Sequence, residues 1–142
     1  MLNKEQIKTF MPHREPMLLL DQVQLDAKGQ SSGAYPVCGD EHFLQGHFPD
    51  HPVVPGVILC EIIAQTAGVL VEEELKKGLL SLFTGMEQVR FRRMVRPGDT
   101  IHTTCSMIRA SGSLIKIRGE ARVEGQLCAE GVFLLMLREK DA

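Results

Sequence analysis

Residues Pro55 to Gly78 read P-G-V-I-L-C-E-I-I-A-Q-T-A-G-V-L-V-E-E-E-L-K-K-G, and this stretch decides the fold. Pro55 suits the first position of a helix. Gly78 suits its end, after Lys76 and Lys77, whose charges favour the negative pole of the helix. The pattern predicts one long central helix, about 34 Å long at about 1.5 Å rise per residue. Its first turns are apolar nearly all round, so it has to be enclosed by a sheet or by a partner subunit. The apolar run from Val53 to Val71 approaches the length of a membrane span. It is interrupted, however, by Pro55, Gly56, Glu61, Gln65, Thr66 and Gly68, and a central acid alone is penalised by about 3 kcal/mol in a bilayer. It reads as a buried helix of a soluble protein, with no membrane association.

Downstream the periodicity changes to strands, at Leu80 to Val95, Thr100 to Ala110, Leu114 to Val123 and Leu127 to Arg138. They are divided by Arg96-Pro97-Gly98-Asp99, Ser111-Gly112-Ser113 and Glu124-Gly125, connections short enough to make the sheet antiparallel. Upstream, Asn3 and Gln6 have the spacing of a capping box for a short helix that Pro12 ends. Leu18 to Leu25 and Gln30 to Val37 read as strands around the turn Asp26-Ala27-Lys28-Gly29, and Asp40 to Pro52 reads as loop with one helical turn near Glu41. Two strands, one long helix and four strands describe an α+β layout, a curved antiparallel sheet wrapped around one long central helix.

The 142 residues suffice for one domain, 1–142, with a core that needs no disulfide or metal staple. A composition of 44% apolar and 24% charged residues excludes a disordered chain, and a net charge of -2 argues against a nucleic-acid partner. Cys38, Cys60, Cys105 and Cys128 are scattered without a C-x-x-C pair, and Met1-Leu2-Asn3-Lys4 does not open a signal peptide. Reduced thiols and a cytoplasmic location are expected.

Glu61 is the one charged residue between Val53 and Val71. An ionised carboxylate among Val57, Ile58, Leu59, Cys60, Ile62 and Ile63 costs several kcal/mol unless it is paired or neutralised. Two readings stand: a helix face that reaches water, or proton chemistry beside His47. That histidine lies in the loop G-H-F-P-D-H-P from Gly46 to Pro52, where imidazole serves either structure or proton exchange. Gln65 and Gly68 share the helix face of Glu61, so Gln65 could orient the acid and Gly68 could leave room for a ligand; both could equally be packing. At Pro55-Gly56 the helix N-terminus offers unpaired N–H groups, and the missing side chain of Gly56 lets a carbonyl oxygen approach. A base, an acid and such an amide are what loss of water from a β-hydroxy carbonyl compound requires. His42, His47 and His51 make no metal site, because Pro49 and Pro52 break any helix that could align them and no cysteine joins them. Neither a phosphate-binding glycine loop nor a G-x-S-x-G elbow is present.

These residues carry a resemblance. Four blocks resemble the β-hydroxyacyl-acyl carrier protein dehydratases of fatty acid synthesis, which have the hotdog fold: M-P-H-R-E-P-M-L-L-L-D (Met11 to Asp21), G-H-F-P-D-H-P-V-V-P-G (Gly46 to Gly56), E-I-I-A-Q (Glu61 to Gln65) and V-R-F-R-R-M-V-R-P-G-D (Val89 to Asp99). The resemblance implies that His47 and Glu61 form a catalytic pair contributed by opposite subunits of a dimer. It further implies that the Gly56 amide polarises the thioester carbonyl and that the Val53 carbonyl holds the histidine ring. Related dehydratase-isomerases carry aspartate at the position of Glu61, which places the chain with the enzymes that do not ordinarily isomerise. Glu15 stands where an aromatic residue is usual, and Met94 where proline is common.

Arg90, Arg92, Arg93 and Arg96 form a candidate docking rim for an acidic acyl carrier protein. In a regular strand Arg90 and Arg92 share one face and Arg93 points to the other, so not all would meet one partner; solvated sheet edges are the competing reading. The expected protein is a dehydratase without metal or organic cofactor, a homodimer or a trimer of dimers, that converts a (3R)-hydroxyacyl thioester on acyl carrier protein to the trans-2-enoyl thioester. The alternatives are a thioesterase on the same scaffold, with Glu61 activating water, and a non-catalytic acyl-chain binder.

Overall fold

The computed structural model describes residues 1–141; Ala142, the last residue of the expected domain, lies outside them. The elements are β1 (Leu2–Asn3), α1 (Lys4–Ile7), β2 (Gln22–Leu25), β3 (Ser31–Pro36), a 3-10 turn (His42–Leu44), α2 (Gly56–Thr66), a 3-10 segment (Ala67–Val71), α3 (Glu72–Lys76), β4 (Leu80–Phe91), β5 (Thr100–Ser111), β6 (Leu114–Val123) and β7 (Gln126–Arg138). The strands form one antiparallel sheet in the order β1-β2-β3-β5-β6-β7-β4. Glu124 and Gly125 both take positive φ between β6 and β7, the backbone a tight hairpin needs to match strand twist.

The sheet curls around α2. Ile62 and Ile63 are fully buried with Ile101 of β5, Ile117 of β6 and Phe133 of β7, and each such side chain contributes about 2 kcal/mol through burial. At Gly119 of β6 the Ile63 methyl occupies the place a side chain would need, so the helix lies directly on the strand backbone. Burial pushes the Cys105 thiol up to about 12, with Sγ donating to the Ile63 carbonyl at 3.1 Å. All four cysteines are free thiols.

Three expectations need correction. The first concerns regularity: the long central helix is present and Gly78 ends it with φ of 95°, but α2 ends at Thr66, tightens into a 3-10 segment and resumes as α3. The Thr66 hydroxyl bonds back to the Ile62 carbonyl, β-branched Val69 and Val71 follow, and Gly68 sits under Met11; each weakens regular α geometry there. Second, the ladder expected over Leu18 to Leu25 begins only at Gln22. Leu18, Leu19 and Leu20 are buried, but the Leu19 N–H donates to the Gln65 side chain instead of to a strand. Third, β4 stops at Phe91 rather than Val95, because the N–H groups of Arg92 and Arg93 both turn to the Cys128 carbonyl. No helix among the described residues is long and apolar enough to cross a membrane.

Candidate active site

His47 follows the 3-10 turn His42–Leu44, in a loop anchored upstream by Glu41. The Glu41 carboxylate accepts from the Tyr35 hydroxyl at 2.6 Å, the Cys38 N–H at 2.9 Å and the Gly39 N–H at 2.8 Å. Burial works against its ionised form, yet these three donors outweigh it and hold the carboxyl below its usual range. Cys38, Asp40 and Glu41 bring three possible metal ligands together, but the Glu41 oxygens are already committed to this loop.

His47 and Val53 close the loop on each other. The Val53 N–H donates to the His47 carbonyl at 2.9 Å, and His47 Nδ1 lies 2.9 Å from the Val53 carbonyl oxygen. A carbonyl only accepts, so Nδ1 carries the proton and Nε2 keeps a lone pair available as a base. Near the ring begins α2, with Pro55 as its cap and Gly56 as its first residue. No acceptor among the described residues takes the Gly56 N–H, which remains free for a ligand oxygen. The Phe91 ring packs on the Gly56 Cα where a side chain would project. His47, Val53, Gly56, Phe91, Arg92 and Arg93 are among the residues lining a cavity of about 590 Å³, with Met94 on its rim.

Glu61 lies one turn and more along α2 and opens into a different cavity, of about 230 Å³, whose walls include His13, Gln65, Gly68, Leu82 and Phe83. Gln65 is 2% exposed and fully engaged. It accepts from the Leu19 N–H at 2.8 Å, donates to the Met17 carbonyl at 2.7 Å and donates to Glu61 Oε2 at 2.8 Å. His13 approaches the same carboxylate oxygen, Nε2 to Oε2 at 3.5 Å, and its buried Nδ1 has no partner among the described residues. The reading from sequence missed His13. The signal that singled out His47, a histidine held in a loop beside proline, was present at Pro12-His13 too.

The two cavities share no lining residue, so a single chain does not bring His47 and Glu61 together in either of them. Gly56 and Val53 fall with His47, and Gln65 with Glu61. Of the four arginines, Arg92 and Arg93 line the histidine-side cavity together, contrary to the expected alternation, because the strand has ended. Arg92 is tied to Glu130 at 2.6 Å. Arg90 and Arg96 lie outside the cavity; the Arg96 N–H is held by Asp99 in a turn. Glu15 also lies outside the carboxylate-side cavity and pairs with Lys8 at 3.1 Å.

An antiparallel sheet wrapped on a central helix is the hotdog fold. The FabA-like domain family matches residues 11–131, and the chain belongs to that family, in its FabZ-type branch. A 3-hydroxyacyl-[acyl-carrier-protein] dehydratase FabZ of Bacillus licheniformis is 40% identical over 143 residues, covering 99% of each chain. One of Oleidesulfovibrio alaskensis is 46% identical over 133 residues, covering 91% of this chain and 86% of the relative. Among solved structures, the dehydratase heterocomplex ApeI:P from Xenorhabdus doucetiae superposes with a TM-score of 0.81 at 21% identity, over 95% of this chain and 92% of that one. A thioesterase-like phenylacetic acid degradation-related protein of Ralstonia eutropha superposes with a TM-score of 0.63 at 20% identity, over 81% and 83%. At such identities the structural likeness speaks for the fold.

Proposed function

We propose that the protein is a hydro-lyase that removes water from (3R)-hydroxyacyl groups carried on acyl carrier protein, giving trans-2-enoyl thioesters in fatty acid synthesis. His47 is the base, Glu61 of the partner subunit is the acid, and the Gly56 N–H binds the thioester oxygen. One observation carries the shared site: β4 is a long edge strand whose two ends border the two cavities. Leu82 and Phe83 at its start line the Glu61 cavity, and Phe91 at its end lines the His47 cavity. Leu82, Phe83, Met86 and Phe91 are exposed on the lone chain, as are Phe48, Val57 and Met94 near the histidine. An edge of this length and polarity calls for a partner strand. Two copies pairing β4 antiparallel about a two-fold axis put the Leu80 end of one beside the Phe91 end of the other, so each His47 cavity meets a Glu61 cavity.

Nε2 of His47 takes the α-proton while charge gathers on the thioester oxygen at the Gly56 amide. The Cβ–O bond then breaks, and the hydroxyl leaves as water with the proton from Glu61. The imidazolium and carboxylate that remain reset by passing one proton between them. Gln65 donates to Glu61 and keeps the carboxyl oriented throughout. Arg93, which lines the histidine-side cavity beside the Arg92–Glu130 pair, supplies positive charge that attracts an acidic carrier protein.

The test is incubation with β-hydroxybutyryl and longer carrier-bound substrates followed by mass analysis. Loss of one water with the thioester intact is the expected result. Release of free carrier thiol without enoyl product, or an unchanged acyl group at every length, overturns the proposal.

A further inference from the structure

We propose that Met11 is the end-stop of the acyl cavity and limits the substrate to short and medium chains; this rests on the dehydratase reading of the same site. The cavity runs from a polar end, formed by His13, Glu61 and Gln65, to an apolar end at Met11, Gly68, Leu75 and Leu135. Along the helix wall Glu61, Ala64 and Gly68 succeed one another on one face, with side chains that shrink away from the acid. Gly68 does not leave its space to a ligand, as its lack of a side chain had suggested. The Met11 sulfur sits 2.5 Å from where a Gly68 Cβ would be, so the thioether fills the notch and Leu75 closes over it.

Beyond this plug lies a second cavity of about 240 Å³, open to solvent and lined by Lys8, Arg14, Lys76 and Lys140. Met11, Pro12 and Leu75 line both cavities, and Met11 is 3% exposed. The buried thioether is therefore one of the partitions between an apolar cavity and a cationic one. A cavity of about 230 Å³ that ends at Met11 takes a chain of limited length. A longer chain has to displace Met11 and emerge into a cavity open to solvent, where its added methylenes gain little from burial.

The test uses two series on the full-length protein, carrier-bound 3-hydroxyacyl substrates and unreactive alkyl-pantetheine thioethers, each from C4 to C14. In the thioether series, native affinity should rise about fourfold per methylene until the chain reaches Met11 and then level off. In Met11→Ala, and in the milder Met11→Val should the first variant not fold, the rise should continue past the native plateau by about the two or three carbons that the thioether displaced. The C14 to C4 ratio of kcat/KM should increase at least about 10-fold over native. Native affinity that climbs steadily to C14, or a folded variant with the native profile, overturns the end-stop. Thioethers that bind with the expected cut-off, without dehydration at any length, leave Met11 as the stop and defeat the dehydratase reading alone. Failure of every thioether to bind defeats both.

Discussion

His47 is held by backbone atoms and Glu61 by a side chain. The imidazole has the Val53 carbonyl at 2.9 Å, within a loop pinned by the Glu41 carboxylate, whereas Glu61 takes its hydrogen bond from the amide of Gln65, itself tied to Met17 and Leu19. The histidine side thus leans on an ionised group and the carboxylate side on a neutral one. That difference suits the task. A base needs one tautomer, which a carbonyl imposes, while an acid that must lose and regain a proton is served by an amide whose own charge never changes.

The largest expected effects come from removing the reacting groups. His47→Ala and Glu61→Gln should each lower kcat by at least about 100-fold, read from enoyl formation on folded protein. Near-native turnover in either ends the assignment. If the two sides belong to different subunits, mixing the two dead variants under conditions of subunit exchange should restore activity. Statistical mixing gives half mixed dimers, each with one intact site of two, and so about a quarter of native activity. Mixtures as dead as their components would place both groups in the same subunit's site.

How far these two sides could be read in the sequence follows from how they are built. Glu61 and Gln65 are four apart on a helix, so their contact was legible from spacing alone. The distant parts of the clamp were not, since Met17 and Leu19 meet Gln65 across 48 and 46 residues of chain. His13 meets Glu61 across as long a stretch, although its place beside Pro12 was itself a visible signal. The antiparallel sheet was legible because its turns are short and carry glycine. The break after Thr66 was not, because it depends on Met11 entering the notch at Gly68, and the arginine alternation failed because β4 ends where Arg92 and Arg93 share one carbonyl.

A smaller effect should follow from unfastening the carboxylate side. Gln65→Leu preserves approximate volume and leaves the Leu19 N–H, the Met17 carbonyl and Glu61 without their partner, all in or beside the core. Stranded buried polar groups cost about 1–3 kcal/mol each before relaxation, so a net loss of about 2–4 kcal/mol is expected in urea unfolding. Activity at a temperature where the variant is folded should fall about 10-fold, as the carboxyl loses its orientation. His13→Gln probes the same carboxylate from its other side and should lower kcat less than Gln65→Leu, because its contact with Oε2 is 3.5 Å against 2.8 Å.

The smallest effect belongs to the histidine side, and pH exposes it. Glu41 has its carboxyl held below the usual range by Tyr35, Cys38 and Gly39, against the cost of burial. A carboxyl depressed in the folded state contributes stability above its unfolded pKa of about 4.3, and that contribution disappears as pH falls through the folded value. Glu41→Gln keeps the shape and removes the charge, so it should cost about 1 kcal/mol at pH 7, and the gap from native should close as pH falls through and below the ordinary carboxylate range. In Gln65→Leu the Leu19 N–H and the Met17 carbonyl stay unpaired at every pH, so its loss should persist where that of Glu41→Gln has gone. Unfolding curves at four or five pH values separate the two. Parallel loss for Glu41→Gln at every pH would mean that the loop before His47 is held by packing instead of charge.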